Sequence, residues 1–123
     1  MKAKTILILA GFFGLTAVAL GAFAAHSLSQ ILSPDDIRIF QTGVQYQMYH
    51  ALALFGVGIL ALQRSDFETQ GASLSFLLGI IIFSGSLYAL TLTGVRILGA
   101  ITPIGGLAFL LGWGLLIRSA WKI

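Results

Sequence analysis

The sequence predicts an all-α integral membrane protein, a four-helix up-down bundle with a short amphipathic helix before the second span. Three observations carry that expectation. Of 123 residues, 58% are hydrophobic and only 9% are charged, against roughly 25% charged in a typical soluble domain. So short a chain cannot hide that much apolar surface from water. The apolar residues fall into runs at about 5–25, 43–62, 71–92 and 97–117, each near the ~20 residues that cross a ~30 Å hydrocarbon layer. The links between them are short, which makes successive helices antiparallel neighbours. The chain is read as one domain.

Lys2 and Lys4 precede the first run, Thr5–Ala25. A secretory signal is the competing reading, with Ala22-Phe23-Ala24 as its cleavage site, but the run exceeds the usual ~7–15 residues of a signal core. Gly11, Gly14, Gly21 and Ala25 recur roughly along one helical face, which suits close packing against another helix. The run is therefore read as a retained span.

Ser33-Pro34-Asp35-Asp36 has the form of a helix start. Ser33 is a cap, proline suits the first helical position, and two acids meet the positive end of the helix dipole. Ile37, Phe40 and Val44 then share a face while Asp35, Arg38 and Thr42 point elsewhere, the pattern of a short helix on a bilayer surface. An unbroken helix from Pro34 to Gln63 would measure about 45 Å, too long for a perpendicular span. A bend near Gly43 is expected, with span two beginning there.

Arg64–Gln70 is the most charged segment and reads as a solvated loop. In the third run Gly71, Ser75 and Gly79 are spaced four apart, again a close-packing signal. The short link Thr93–Arg96 leads to the fourth, where Thr102-Pro103 is either a proline kink or a helix start with Thr102 as its cap. Gly105, Ala108 and Gly112 give the last helix a small-residue face. Arg118, Trp121 and Lys122 form an interfacial anchor.

Several function classes drop out. With no cysteine there is no disulfide, thiolate metal site or thiol nucleophile. A net charge of +3 comes from too few residues for a nucleic-acid surface. No phosphate loop, dinucleotide fingerprint or zinc-protease helix is present. The acids are Asp35, Asp36, Asp66 and Glu68, all in loops or interface, so no carboxylate is available for proton coupling at mid-membrane. No catalytic residue, metal or cofactor is assigned.

Phe40–His50 is the exception to the apolar rule, with Gln41, Gln45, Gln47, Tyr46, Tyr49 and His50 running into the greasy Ala51–Leu62. Lipid offers such groups no partner, so the other helices are expected to pack around this one. Gly43, Gln47 and His50 share one face. Gln47 and His50, with Gln45 from the neighbouring face and Ser84, Ser86 and Tyr88 from the third run, make an outward-facing candidate polar pocket. The alternative is that Gln47 and His50 bond to Ser84, Ser86 or Tyr88 and fix helix register, at around 0.6 kcal/mol per bond. His26, Arg38, Arg96 and Thr102 are candidate contacts to lipid headgroups or anions, and either arginine also has Asp35 or Asp36 within reach. His26 and His50 lie at different depths and are not expected to share a metal or haem.

Gly21-Ala22-Phe23-Ala24-Ala25-His26, Thr42–His50, Ser84-Gly85-Ser86-Leu87-Tyr88 and Thr102-Pro103-Ile104-Gly105-Gly106 together resemble the YgdD/YwdK-like small membrane proteins, uncharacterised protein family 0382 or domain of unknown function 423. Ala24 stands where a glycine is more usual. The resemblance implies a four-span protein of the bacterial inner membrane and supplies no activity. The expected role is a non-enzymatic packing or interaction component of the membrane. Its partners would be membrane lipids, a second copy or a larger membrane protein, and no nucleic acid. The alternative is a small transporter or lipid-binding protein using the pocket around His50.

Lys2, Lys4, Arg64, Arg118 and Lys122 lie on the side of the termini, and Arg38 and Arg96 on the other. Basic residues in short loops stay cytoplasmic, so both termini are expected there. An impermeant thiol reagent applied from outside should label cysteine at Ser29 or Thr93 and miss cysteine at Ser65. The reverse pattern would invert this topology.

Overall fold

The computed structural model describes all residues, Met1–Ile123. It is entirely helical, with four long helical segments: α1 (Ala3–His26), α2 (Pro34–Gln63), α3 (Gln70–Thr93) and α4 (Thr102–Trp121). Three of them, α1, α3 and α4 with the turn before it, are long and apolar enough to cross a membrane. The exception is α2, the helix that carries the polar run.

The expected start of α2 forms. Ser33 Oγ accepts from the Asp36 amide at 3.1 Å, Pro34 stands in the first turn, and Asp35 and Asp36 follow it. The expected bend does not. Residues 34–63 are one uninterrupted helix, so the separate amphipathic helix is corrected to the opening turns of α2. The physical reason lies in the buried stripe. Asp36, Phe40, Gly43, Gln47, His50, Leu54 and Val57 are all buried and alternate steps of four and three, so one face runs through Gly43 without a change of phase. Breaking the helix there would turn half of that stripe away from its partners.

Contacts set the directions of the helices. In α1, Leu7 meets Gly58, Phe13 and Thr16 meet Gln47, and Gly21 meets Val44, an antiparallel pairing with α2. In α4, Leu115 meets Gly71, Gly112 meets Phe76, Phe109 meets Gly79, and Gly105 meets Phe83, antiparallel to α3. The main core joins all four segments through Ile6, Ala10, Leu54, Val57, Phe76, Ile80 and Phe109. A smaller cluster of Ala24, Leu28 and Phe40 seals the end away from the termini.

Two local features position the polar groups. Ile80–Ser84 form a π-helical stretch inside α3, which brings the Phe83 backbone against α4. After Gly94 closes α3 in the left-handed region (φ 75°), a 3-10 turn at Arg96–Ala100 leads to a fresh helix start at Thr102. Proline therefore opens α4 rather than kinking it. Thr102 is not its cap, because its hydroxyl is engaged with Ser86.

Glycines divide by role. A methyl group at Gly105 would come within 2.4 Å of the Phe83 backbone nitrogen, while Gly79 and Gly112 are filled by the rings of Phe109 and Phe76. Gly11 and Gly14, expected on a packing face, have nothing within 4 Å of such a methyl and line an open groove between α1 and α2 with Met48, Ala51 and Leu52. Large apolar side chains such as Ile8, Leu15, Leu107 and Leu110 are likewise exposed, as lipid-facing surfaces are.

Gly105→Ala should lower stability in mild detergent by about 1–3 kcal/mol through overpacking, because backbone rather than a flexible side chain must yield. Gly14→Ala should lose nothing and gain up to about 1 kcal/mol in helix propensity. Equal melting of the two variants would refute these placements.

Candidate functional site

The stripe on α2 delivers the polar groups in order of depth. At its start, Arg96 forks onto Asp36, with Nη1 to Oδ1 at 2.7 Å and Nη2 to Oδ2 at 3.0 Å. Two turns further in, the Ser84 hydroxyl donates to the Gly43 carbonyl at 2.6 Å. Gly43 lets Tyr88 approach, since a methyl there would meet the Tyr88 ring at 2.8 Å.

Gln47 comes next and joins three helices. Its amide nitrogen donates to the Phe13 carbonyl at 3.0 Å and to Thr16 Oγ1 at 2.7 Å, both on α1. Its carbonyl accepts the Tyr88 hydroxyl of α3 at 2.7 Å. Both amide hydrogens and the carbonyl are thus used inside the protein.

His50 sits deepest. Trp113 Nε1 lies 3.1 Å from His50 Nε2, and His50 Nδ1 lies 2.7 Å from the Tyr46 carbonyl. An indole nitrogen only donates, so Nε2 is the acceptor and the ring proton belongs on Nδ1. The imidazole is then neutral, with both nitrogens occupied. It lies flat against Phe109, ring centroids 3.5 Å apart and planes 8° apart, with Phe76 and Trp113 at its edges.

The six residues of the expected pocket therefore separate. Gln47 and Tyr88 bond to each other, as the structural alternative required. His50 does not reach Ser84 or Ser86, because Ser84 is level with Gly43, about 10 Å above His50 by helical rise. Ser84 bonds to backbone instead. Ser86 turns toward α4, where its oxygen meets Thr102 Oγ1 at 2.6 Å. Gln45 is exposed. No buried side-chain nitrogen or oxygen lacks a partner, and none of the surface depressions is lined by Gln47, His50, Ser84, Ser86 or Tyr88.

The headgroup candidates fare differently from one another. Arg38 pairs with Asp35 on the exposed side of α2, and Arg96 pairs with Asp36, so both acids take the arginine within reach. His26 is exposed at the end of α1, and Thr102 is tied to Ser86. Thr16 and Trp113 are the members that sequence reasoning missed. Their signals were present: Thr16 is a lone hydroxyl deep in α1, and Trp113 is a tryptophan far from either end of α4.

Outside the spans, Asp36 is the group whose protonation matters. Its bonds to Arg96 hold the carboxyl below the usual carboxylate range. Asp66 is lowered in the same way by Arg64, with which it forms a fork at 2.9 and 2.7 Å.

Comparisons with known proteins bear on the whole chain. The family described as "Protein of unknown function (DUF423)" matches residues 20–106. The UPF0382 membrane protein YwdK of Bacillus subtilis is 45% identical over 120 residues, covering 97% of this chain and 98% of its own. A UPF0382 membrane protein of Haemophilus influenzae is 46% identical over 121 residues, covering 98% and 94%. The UPF0382 inner membrane protein YgdD of Escherichia coli K12 is 38% identical over 123 residues, covering 100% and 94%. No solved structure matches.

A carboxylate with a lowered folded pKa adds stability that is present above its unfolded pKa of about 3.9 and lost as pH falls through the folded value. The melting temperature should therefore drop on acidification below about pH 4. Asp36→Asn should melt lower at neutral pH and show a shallower acid limb. An acid limb unchanged by the substitution would mean that the Arg96 fork contributes nothing to stability.

Proposed function

The chain belongs to the DUF423 family, the UPF0382 membrane proteins, and on that premise we propose that it is a four-span, up-down helical component of the bacterial cytoplasmic membrane with both termini inside. In this reading it packs and interacts within the membrane and carries no enzymatic chemistry of its own. α2 is the second span despite its polar residues, and its opening turns stand beyond the hydrocarbon, where Asp35 and Arg38 are exposed.

The observation that carries the reading is the saturation of Gln47 and His50. A transport or catalytic site needs a polar group with a free valence facing a cavity or path. Here the amide has spent its hydrogens on α1 and its oxygen on Tyr88, and the imidazole is capped at both nitrogens. Such bonds contribute about 0.6 kcal/mol each on average in membranes. They act on register, since a helix shifted by one residue would strand several of them at once. The alternative, a transporter or lipid-binding protein built on an outward pocket at His50, draws less support because these side chains pack where a pocket would have to open.

The purified protein in liposomes with a trapped pH dye should pass protons no faster than empty liposomes. Gln47→Leu should lower the stability of the protein by about 1–2 kcal/mol without changing that flux. Proton flux above the empty control, abolished in both Gln47→Leu and His50→Ala, would overturn the proposal in favour of a conduction pathway.

A further inference from the structure

The charges of this protein are distributed unequally between its two ends. At the end away from the termini, Arg38 and Arg96 are both engaged by Asp35 and Asp36. At the other end lie Lys2, Lys4, Arg64, Arg118 and Lys122, because Ile6 and Leu7 meet Gly58 near the close of α2 and Leu115 meets Gly71 at the opening of α3. Of these five, only Arg64 is in an ion pair, with Asp66. Lys2, Lys4, Arg118 and Lys122 form no ion pair, and the one remaining acidic side chain, Glu68, lies beside Arg118 at the depression lined by Gly71 and Leu115.

The same half of the molecule holds an apolar groove of about 470 Å³ between α2 and α4. Ala53, Gly56, Val57 and Leu60 form one wall, and Trp113 and Leu116 the other. The groove begins beside Trp113, whose indole is held by His50. It runs about 10 Å by helical rise toward the end where the free cations collect. Gly56 leaves it open, with nothing within 4 Å of where a side chain would begin.

An elongated apolar groove leading to an unneutralised positive surface matches a molecule with a hydrocarbon chain and an anionic head. We propose that this face retains an anionic phospholipid in the leaflet on the side of the termini, its chain in the α2–α4 groove and its phosphate in the field of Arg118 and Lys122, which follow the groove-lining Leu116 on α4. The inference rests on the membrane-spanning reading above but is independent of which side the termini occupy. Headgroup selectivity here comes from a summed field. Basic residues near a membrane surface each contribute about 1 kcal/mol toward anionic lipid, within a Debye length of about 8–10 Å. Added salt therefore removes the selectivity without touching the chain in its groove.

Trp113 lines the groove, and Trp121 is the other tryptophan, so a Trp121→Phe variant reports from the groove alone. This variant is placed in vesicles of equal phosphatidylglycerol and phosphatidylcholine in which one lipid or the other carries brominated chains. At low salt, brominated phosphatidylglycerol should quench Trp113 at least about fivefold more effectively than brominated phosphatidylcholine. In 1 M salt, where the Debye length is about 3 Å, the two should become equal. Adding Gly56→Leu should reduce quenching by both. Equal quenching at low salt would overturn the proposal, and so would no quenching by either lipid together with a cross-linked dimer, which would put a second copy in the groove. Alkaline carbonate extraction of the same membranes separates the two failures: protein released to the supernatant overturns the membrane-spanning reading, whereas protein retained in the pellet with equal quenching overturns the lipid site alone.

Discussion

A glutamine side chain has no partner in hydrocarbon, and the arrangement of this protein around α2 follows from giving Gln47 three. Two lie on α1 and one on α3, so a single amide fixes the relative height of three helices. The groups above and below it obey the same rule. Asp36 is met by Arg96, the Gly43 carbonyl by Ser84, and His50 by Trp113. All of them fall on one stripe of α2, which is why α2 remains a single helix through Gly43 and why it contacts each of the others.

Around that polar line the packing is a matter of glycine against phenylalanine. Phe76 and Phe109 lie over Gly112 and Gly79, and the Phe83 backbone lies against Gly105. Lipid tails are as apolar as leucine, so burial alone gives two helices little reason to associate in a bilayer. Close approach of backbones and rings supplies the dispersion contacts instead. The π-helical stretch at Ile80–Ser84 belongs to the same solution. It lies where the Phe83 backbone meets Gly105 of α4 and Ser84 bonds to α2.

The ionic groups differ between the two ends of the bundle. At one end each arginine is matched by an acid, and one of those pairs, Arg96 on Asp36, ties the link before α4 to the start of α2. At the other end the cations are mostly free. Matched charges hold protein to protein, whereas free cations beside an apolar groove are available to the surrounding lipid. The interior polar groups bond to one another and to backbone.

By itself the sequence determined the helical class, the apolar surface, the capped start of α2 and the need for Gln47 and His50 to find protein partners. These follow from composition, periodicity and local capping, which act within a few residues. Even the pairing of Gln47 with Tyr88 was legible as one of two readings, because both are rare polar groups in apolar runs. The sequence did not determine which glycines face inward, that Thr16 and Trp113 complete the polar line, or that Ser84 and Ser86 serve two different neighbours. Those depend on the heights and rotations of helices far apart in the chain, set by packing that has no local signature. The continuity of α2 shows the difference most plainly. Length and a glycine argued for a bend, and the phase of a buried stripe, visible only once its partners were in place, kept the helix whole.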